Sequence, residues 1–144
     1  LSDLPQSFER LGATQSNVGR MAAGGVKVAL GAFFDQPRYA PQYAGNLVAL
    51  NKLPEAKGLS WDKAFAAISS GPAEILGLGD RFGSLKAGRA ADVVVWDGDP
   101  LELKSGAVRV FIDGVEQPLD NHQTRLRDRY RTPTEGNLPK AYDW

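Results

Sequence analysis

The sequence contains no cysteine and a single histidine, His122, in 144 residues. The lack of cysteine excludes disulfide bonds, zinc–thiolate sites, iron–sulfur clusters and a cysteine nucleophile within this segment. The single histidine excludes a metal site rich in histidine and a two-histidine proton relay. A metal centre of that kind would need ligands that lie outside these residues.

The sequence also lacks net charge and long apolar runs. Its 17 basic residues balance its 17 acidic residues, so the overall charge favours neither nucleic acid nor an anionic membrane surface as a partner. No apolar run approaches the roughly 20 residues of a transmembrane helix. With 42% apolar and 24% charged residues, the composition is that of a globular protein.

The apolar periodicity predicts helices and one strand in the first half of the chain. Helices are predicted at 14–24 with Thr14 as N-cap, at 41–50, after the N-cap Ser60, and at 73–76. In the third helix Trp61, Ala64, Phe65 and Ile68 share one face. Val26–Leu30 is the predicted strand, and its alternation with helices indicates an α/β fold.

The second half of the chain has the pattern of β-structure. Extended segments are predicted at Ser84–Lys86, Ala91–Trp96, Val108–Ile112 and Val115–Gln117. Asp113-Gly114 between the last two predicts a tight hairpin. A polar helix is expected from Asp120 to Tyr130, followed by an extended tail.

These patterns divide the chain into residues 1–82, residues 83–119 and a terminal helix and tail at 120–144. The first two parts are each too small to bury a comfortable core alone. Because the chain begins with Leu1 rather than Met, we expect a processed protein or a piece of a longer one.

Three segments carry a resemblance to a known family. They are GLSWDKAF at 58–65, PAEILGL at 72–78 and GSLKAGRAADVVVWD at 83–97. In order and spacing they resemble the C-terminal region of the metal-dependent amidohydrolase superfamily, particularly its imidazolonepropionase-like and Xaa-Pro-dipeptidase-like members. With the hairpin at Asp113-Gly114, the resemblance covers roughly residues 14 to 117.

The resemblance implies the C-terminal part of a (β/α)₈ TIM-type barrel together with part of a flanking β-sandwich. In this scheme Val26–Leu30 is the last barrel strand, and residues 60–77 lead the chain back to the sandwich. The family's metal-binding histidines and carboxylated lysine would lie before this segment. The implied cofactor is a divalent metal, zinc by resemblance, with most ligands elsewhere, and the implied partner is the remainder of the same polypeptide.

One catalytic residue of the family is expected inside this segment, an aspartate that ligates metal and takes a proton from water. It usually lies two residues after the glycine that ends the last strand, and here Phe33 has that position. Asp35 follows two residues later and shares its face in an extended chain. Three alternatives remain open: Asp35 fills this role, the protein lacks the ligand, or Asp35 only shapes the turn before Pro37.

Further candidates have weaker support from the sequence. Arg38 and Tyr39 follow Asp35 at the carboxyl end of the predicted strand, a location where substrates bind in barrels. His122 lies in a polar segment, where a solvated surface role is the better interpretation. The arginines of the terminal helix indicate a solvated face or a surface that docks on the barrel.

The predicted function is therefore that of the C-terminal part of a metal-dependent amidohydrolase, which hydrolyses amide, cyclic amide or peptide-like C–N bonds. The alternative is a non-catalytic module derived from such an enzyme, with a packing or binding role. The expected ligand is a small molecule or peptide, without nucleic acid or membrane. The substrate, the compartment (cytoplasm or periplasm) and a homo-oligomeric state remain open.

Overall fold

A computed structural model of the chain describes residues 12–31 and 36–131. Within these ranges the chain forms five α-helices and three β-strands. The helices are α1 (Asn17–Ala23), α2 (Ala40–Ala49), α3 (Trp61–Ala66), α4 (Ser70–Ile75) and α5 (His122–Arg131), and the strands are β1 (Val93–Trp96), β2 (Ala107–Ile112) and β3 (Val115–Gln117). The predicted tail at 132–144 lies outside the described residues.

The first helix begins later than the sequence predicts. Its N-cap is Ser16, and the Thr14 hydroxyl instead accepts a hydrogen bond from the Ser16 backbone N–H at 3.2 Å. The Ser16 hydroxyl accepts from the Lys57 backbone N–H at 2.9 Å. Because both hydroxyls are engaged in the loop before α1, the prediction that Thr14 caps this helix is wrong.

The remaining helices follow the predicted pattern with shifted ends. Ser60 is the N-cap of α3 as predicted, although its hydroxyl makes no capping hydrogen bond. Helix α3 ends at Ala66, so Ile68 lies beyond it. Helix α4 starts at Ser70 rather than Ala73, which Pro72 permits because a proline in the first turn removes an N–H without a helical partner.

Two predicted extended segments do not form strands in the described chain. At Val26–Leu30 the backbone is not assigned to a sheet, and the Leu30 N–H donates to the Ala67 carbonyl at 2.8 Å. A strand needs a neighbouring strand to pair with, and the described residues supply none here. At Ser84–Lys86 the Lys86 N–H bonds back to the Ser84 carbonyl in a local turn.

The three strands form one antiparallel sheet in the order β1-β2-β3. The predicted hairpin between β2 and β3 is confirmed. Asp113 and Gly114 both have positive φ angles, 51° and 79°, as a two-residue turn of type I′ requires. The Asp92 carboxylate accepts a hydrogen bond from the Asp113 N–H at 2.8 Å and so fixes the turn to the start of β1.

One face of this sheet is apolar and uncovered by the described residues. Pairing of Val94 with Val110 and of Ile112 with Val115 places these side chains on one face. We call Val94, Val108, Val110, Ile112 and Val115 the valine face. Exposure of its members reaches 63% at Val115, which is high for apolar residues in a sheet.

A small core joins the helical part of the chain to the loop between β1 and β2. Its buried residues are Ala44, Leu59, Ala64 and Leu101. Gly45 of α2 lies against this loop, since a Cβ built on it would be 2.3 Å from the Leu101 carbonyl oxygen. Only glycine permits this approach of helix and loop.

An indole–carboxylate contact connects the same two regions. The Trp61 indole N–H donates to both carboxylate oxygens of Asp99, at 3.0 and 2.9 Å. The Trp61 ring also stacks on Phe65, with ring centroids 5.1 Å apart. The start of α3 is thereby held against the loop that carries Leu101.

Candidate functional site

The predicted site lies between the end of Val26–Leu30 and the start of α2. Asp35 belongs to residues 32–35, which lie outside the described residues. Arg38 and Tyr39 are described and form a 3-10 turn, Pro37–Tyr39, directly before α2. The structure therefore places these two substrate-binding candidates at the N-terminal end of that helix.

Arg38 and Tyr39 contact each other at the surface. An Nη2–H of Arg38 donates to the Tyr39 hydroxyl oxygen at 3.2 Å, and the guanidinium carbon lies 5.0 Å from the Tyr39 ring centroid. Both residues are exposed. A guanidinium can bind a carboxylate with two parallel hydrogen bonds, and a phenolic hydroxyl can donate to a carboxylate or carbonyl oxygen.

A groove of about 700 Å³ lies next to this turn. We call it the α1–α2 groove, because its walls come from α1, α2 and segments on either side of these helices. The lining residues are Gln15, Val18, Leu30, Gly31, Ala40, Tyr43, Asn46, Leu47, Ala49, Leu50 and Leu53. None of these is charged, so the groove fits apolar groups better than ions.

No sequence pattern predicts the groove, but the apolar stripe predicted on α2 forms part of its wall. The spacing of Tyr43, Leu47 and Leu50 predicts one apolar stripe on α2, and all three line the groove. An apolar stripe indicates that a helix face is covered, yet it does not reveal which segment covers it. The described residues leave this face open.

The described residues do not by themselves make a metal centre. Among residues 12–31 and 36–131, no three histidine, cysteine, aspartate or glutamate side chains come together. His122 is the first residue of α5 and is exposed, as expected for a solvated histidine. Since the resemblance places most ligands of the implied divalent metal outside this segment, it does not require such a cluster among the described residues.

Several aspartates outside the predicted site have structural partners. The Asp97 carboxylate accepts from the Gly106 N–H at 2.7 Å, and Asp99 accepts from the Leu101 N–H at 2.9 Å as well as from Trp61. These bonds close the loop between β1 and β2. Their carboxylates serve the architecture of the loop, in the way that aspartates commonly shape turns.

Arg109 and Glu116 form an ion pair on the sheet. Arg109 donates two hydrogen bonds of 2.8 Å to Glu116 across β2 and β3. The hydrogen bond from Arg109 lowers the pKa of Glu116, and the same bond raises the pKa of Arg109. This pair lies on the face opposite the valine face and stabilises strand pairing rather than forming a reactive site.

The arginines of α5 are exposed and partly neutralised. Arg127 contacts Asp128 at 2.8 Å, and Arg125 lies 3.9 Å from Asp120. Helix α5 therefore presents a mixed polar surface. Among the described residues, no helix has the length and apolarity that a membrane span requires.

Comparisons of this chain with known proteins all indicate the same family. A family model described as "Amidohydrolase family" matches residues 6–116. The amidohydrolase tasK of Hapsidospora irregularis is 48% identical over 60 residues, which is 42% of this chain and 6% of that protein. The imidazolonepropionase of Chromobacterium violaceum is 35% identical over 102 residues, 69% of this chain and 24% of that protein.

Two further matches agree with these. The imidazolonepropionase of Maricaulis maris is 36% identical over 95 residues, 65% of this chain and 23% of that protein. The crystal structure of an amidohydrolase from Thermotoga maritima superposes with a TM-score of 0.64 at 33% identity, covering 78% of this chain and 28% of that one. The helices and small antiparallel sheet described above thus form part of an amidohydrolase fold. The chain spans about a quarter of the length of these imidazolonepropionases.

Proposed function

Because the chain belongs to the amidohydrolase family, we propose that it forms the C-terminal part of a larger hydrolase that acts on amide-type C–N bonds. The observation that carries this proposal is the family match over residues 6–116. The limited coverage of the imidazolonepropionases, 24% and 23% of their lengths, supports the view that further polypeptide completes the enzyme.

We assign Val26–Leu30 to the last strand of a (β/α)₈ barrel and the β1-β2-β3 sheet to a flanking β-sandwich. Two features support this assignment. Val26 is 54% exposed, although it belongs to an apolar segment of the kind that parallel sheets bury. The valine face is also uncovered, as expected for a sheet that packs on a second layer.

The catalytic assignment concerns the carboxyl end of that strand. Asp35, which lies outside the described residues, would act as proton acceptor for the attacking water and as a metal ligand. Arg38 and Tyr39 would bind polar groups of the substrate. The divalent metal, zinc by family resemblance, would be held mostly by residues outside this segment.

The test is an activity measurement on the complete polypeptide. We expect turnover of amide, cyclic amide or dipeptide substrates, loss of turnover after chelation, and recovery when zinc or another divalent metal is added. A complete polypeptide without turnover on any of these classes would contradict the proposal and favour a non-catalytic module. Turnover that survives chelation would contradict the metal assignment alone.

A further inference from the structure

The loop between β1 and β2 supports the helix that follows the turn with Arg38 and Tyr39. Leu101 of this loop is 7% exposed and belongs to the same buried cluster as Ala44 of α2, which is fully buried. The Leu101 carbonyl oxygen lies so close to Gly45 that a Cβ there would be 2.3 Å away. Close packing of this kind leaves a helix little room to move. The loop therefore fixes the middle of α2.

Asp99 determines where Leu101 lies in that loop. The Asp99 Oδ1 atom accepts a hydrogen bond from the Leu101 backbone N–H at 2.9 Å and another from the Trp61 indole N–H at 3.0 Å. Trp61 is the first residue of α3, and Ala64 of α3 belongs to the same buried cluster as Ala44. Helix α2 therefore packs on the loop and on α3, and Asp99 connects these two supports to each other.

The two ends of α2 are held in different ways. Near the C-terminal end, the Leu47 carbonyl accepts a hydrogen bond from the Leu59 N–H at 3.0 Å. At the N-terminal end, the turn with Arg38 and Tyr39 runs directly into the helix. A rise of about 1.5 Å per residue puts Tyr39 about 9 Å from Gly45 along the helix axis. If the contact with the loop loosens, the helix can tilt about its C-terminal end, and the turn then moves the most.

We propose that Asp99 is a positioning residue for substrate binding, which holds the turn with Arg38 and Tyr39 in place through Leu101 and α2. This inference rests on the proposed role of Arg38 and Tyr39 in binding polar groups of the substrate. The substrates concerned carry a carboxylate, since a guanidinium binds that group with two parallel hydrogen bonds. Asp99 acts through an acceptor oxygen and not through its charge, because both of its partners at Oδ1 are uncharged N–H groups.

Hydrogen exchange of the complete polypeptide, measured by mass spectrometry, tests the positioning without any substrate. Asp99→Ala should speed exchange of the backbone N–H groups of residues 39–45 about threefold to tenfold, as expected for the loss of one or two hydrogen bonds. Exchange in the hairpin of β2 and β3 should not change. Asp99→Asn keeps an oxygen for both N–H groups and should exchange at close to the wild-type rate. The matched control is Asp97→Ala, since Asp97 accepts from the Gly106 N–H at 2.7 Å in the same loop, and it should leave residues 39–45 unchanged.

Steady-state kinetics on a set of dipeptides, and on the same dipeptides with amidated C-termini, test the effect on substrate. Asp99→Ala should raise KM for dipeptides about threefold with little change in kcat, because the guanidinium is displaced and not removed. The amidated dipeptides lack the carboxylate and should keep their KM, whereas a merely structural role of Asp99 would affect both sets alike. In Asp99→Ala/Arg38→Ala, KM should equal that of Arg38→Ala alone, because Asp99 acts through Arg38.

Three outcomes would overturn the proposal. Unchanged exchange at residues 39–45 in Asp99→Ala would show that the loop does not hold the turn. A further rise in KM when Asp99→Ala is added to Arg38→Ala would show that Asp99 acts independently of Arg38. Equal effects of Asp99→Asn and Asp99→Ala would assign the effect to the charge of Asp99.

Failure of the proposed function gives a different result. A complete polypeptide without turnover on any dipeptide, or a normal KM in Arg38→Ala, would contradict the proposed function and the role of Asp99 in substrate binding together. Faster exchange at residues 39–45 in Asp99→Ala would still support the part of the proposal that concerns the position of the turn.

Discussion

At the residue scale, the polar side chains divide into those that hold the fold and those that are available for substrate. Asp92, Asp97 and Asp99 accept hydrogen bonds from backbone N–H groups, and these bonds close a turn and a loop. Arg38 and Tyr39 contact only each other among the described side-chain partners and remain exposed. Substrate recognition in this part of the chain is therefore expected at the second group.

Arg38→Ala should weaken binding of substrates that carry a carboxylate. Loss of the guanidinium removes a charge-assisted contact, so KM should rise about tenfold with little change in kcat. Substrates without a carboxylate should be unaffected. The control is Arg81→Ala, since Arg81 also lies over the ring of the following residue, Phe82, at 5.2 Å. An equal rise for both variants would contradict the assignment of Arg38.

Asp35→Asn should lower turnover of the complete polypeptide by about 10²–10⁴-fold, because an amide cannot accept the proton that a carboxylate accepts. Single-turnover and steady-state kinetics measure this change. Asp62→Asn, at an exposed aspartate in the first turn of α3, is the control and should retain activity. Unchanged turnover in Asp35→Asn would remove this residue from the mechanism and leave it a turn residue.

Glu116→Gln should change how stability depends on pH. The hydrogen bond from Arg109 lowers the pKa of Glu116 in the folded state, so the pair stabilises the fold above the ordinary glutamate pKa and loses this effect as pH falls through the folded pKa. We expect the wild type to exceed Glu116→Gln in Tm at neutral pH and low salt. The difference should vanish in acid and shrink in high salt.

The exposed Glu102→Gln is the control for that comparison. Its Tm should follow the wild type across the pH range. A Tm difference between wild type and Glu116→Gln that grows as the pH falls would contradict the sign of the pKa shift.

At the element scale, the sequence predicted those features of helices and turns that depend on residues close together in the chain. The periodicity of α2 and α3 and the Asp113-Gly114 turn are confirmed, since helix faces and tight turns depend on residues close in sequence. The first and last residues of the helices were less predictable. The Thr14 hydroxyl bonds to the Ser16 N–H and the Ser16 hydroxyl bonds to the Lys57 N–H, so neither side chain caps α1. The second of these contacts comes from a distant segment, which local patterns do not predict.

Gly45→Ala should destabilise the protein although alanine favours helix formation by about 1 kcal/mol. A Cβ at this position of α2 would lie 2.3 Å from the Leu101 carbonyl oxygen, so helix and loop must separate. Such overpacking costs about 1–3 kcal/mol, measured as a lower Tm. Gly24→Ala is the control, because its Cβ would meet no atom closer than 3.5 Å. Equal Tm values for the two variants would contradict the close packing of α2 on the loop.

At the scale of the whole molecule, the sequence predicted the family, while the roles of the site residues stay a prediction. Arg38 and Tyr39 lie directly before α2, next to a groove that no sequence pattern predicts. The stripe on α2 was readable, but its covering segment depends on long-range packing. The predicted strand Val26–Leu30 likewise needs neighbours that the described residues do not contain.

We attribute the exposed apolar surface to the same lack of packing neighbours. Leu85 is 78% exposed and Leu76 is 72% exposed, and the valine face is uncovered. A contiguous exposed apolar face such as the valine face marks a surface that packs on another chain or domain. We therefore propose that these residues complete their fold only with the rest of an amidohydrolase.

Hydrophobic-dye fluorescence combined with thermal unfolding tests this claim most directly, with residues 1–144 alone compared against the complete polypeptide. We predict strong dye binding and a broad, non-cooperative transition for the isolated segment, and weak binding with a sharp transition for the complete polypeptide. A soluble, monomeric segment that unfolds cooperatively and binds no dye would contradict the claim.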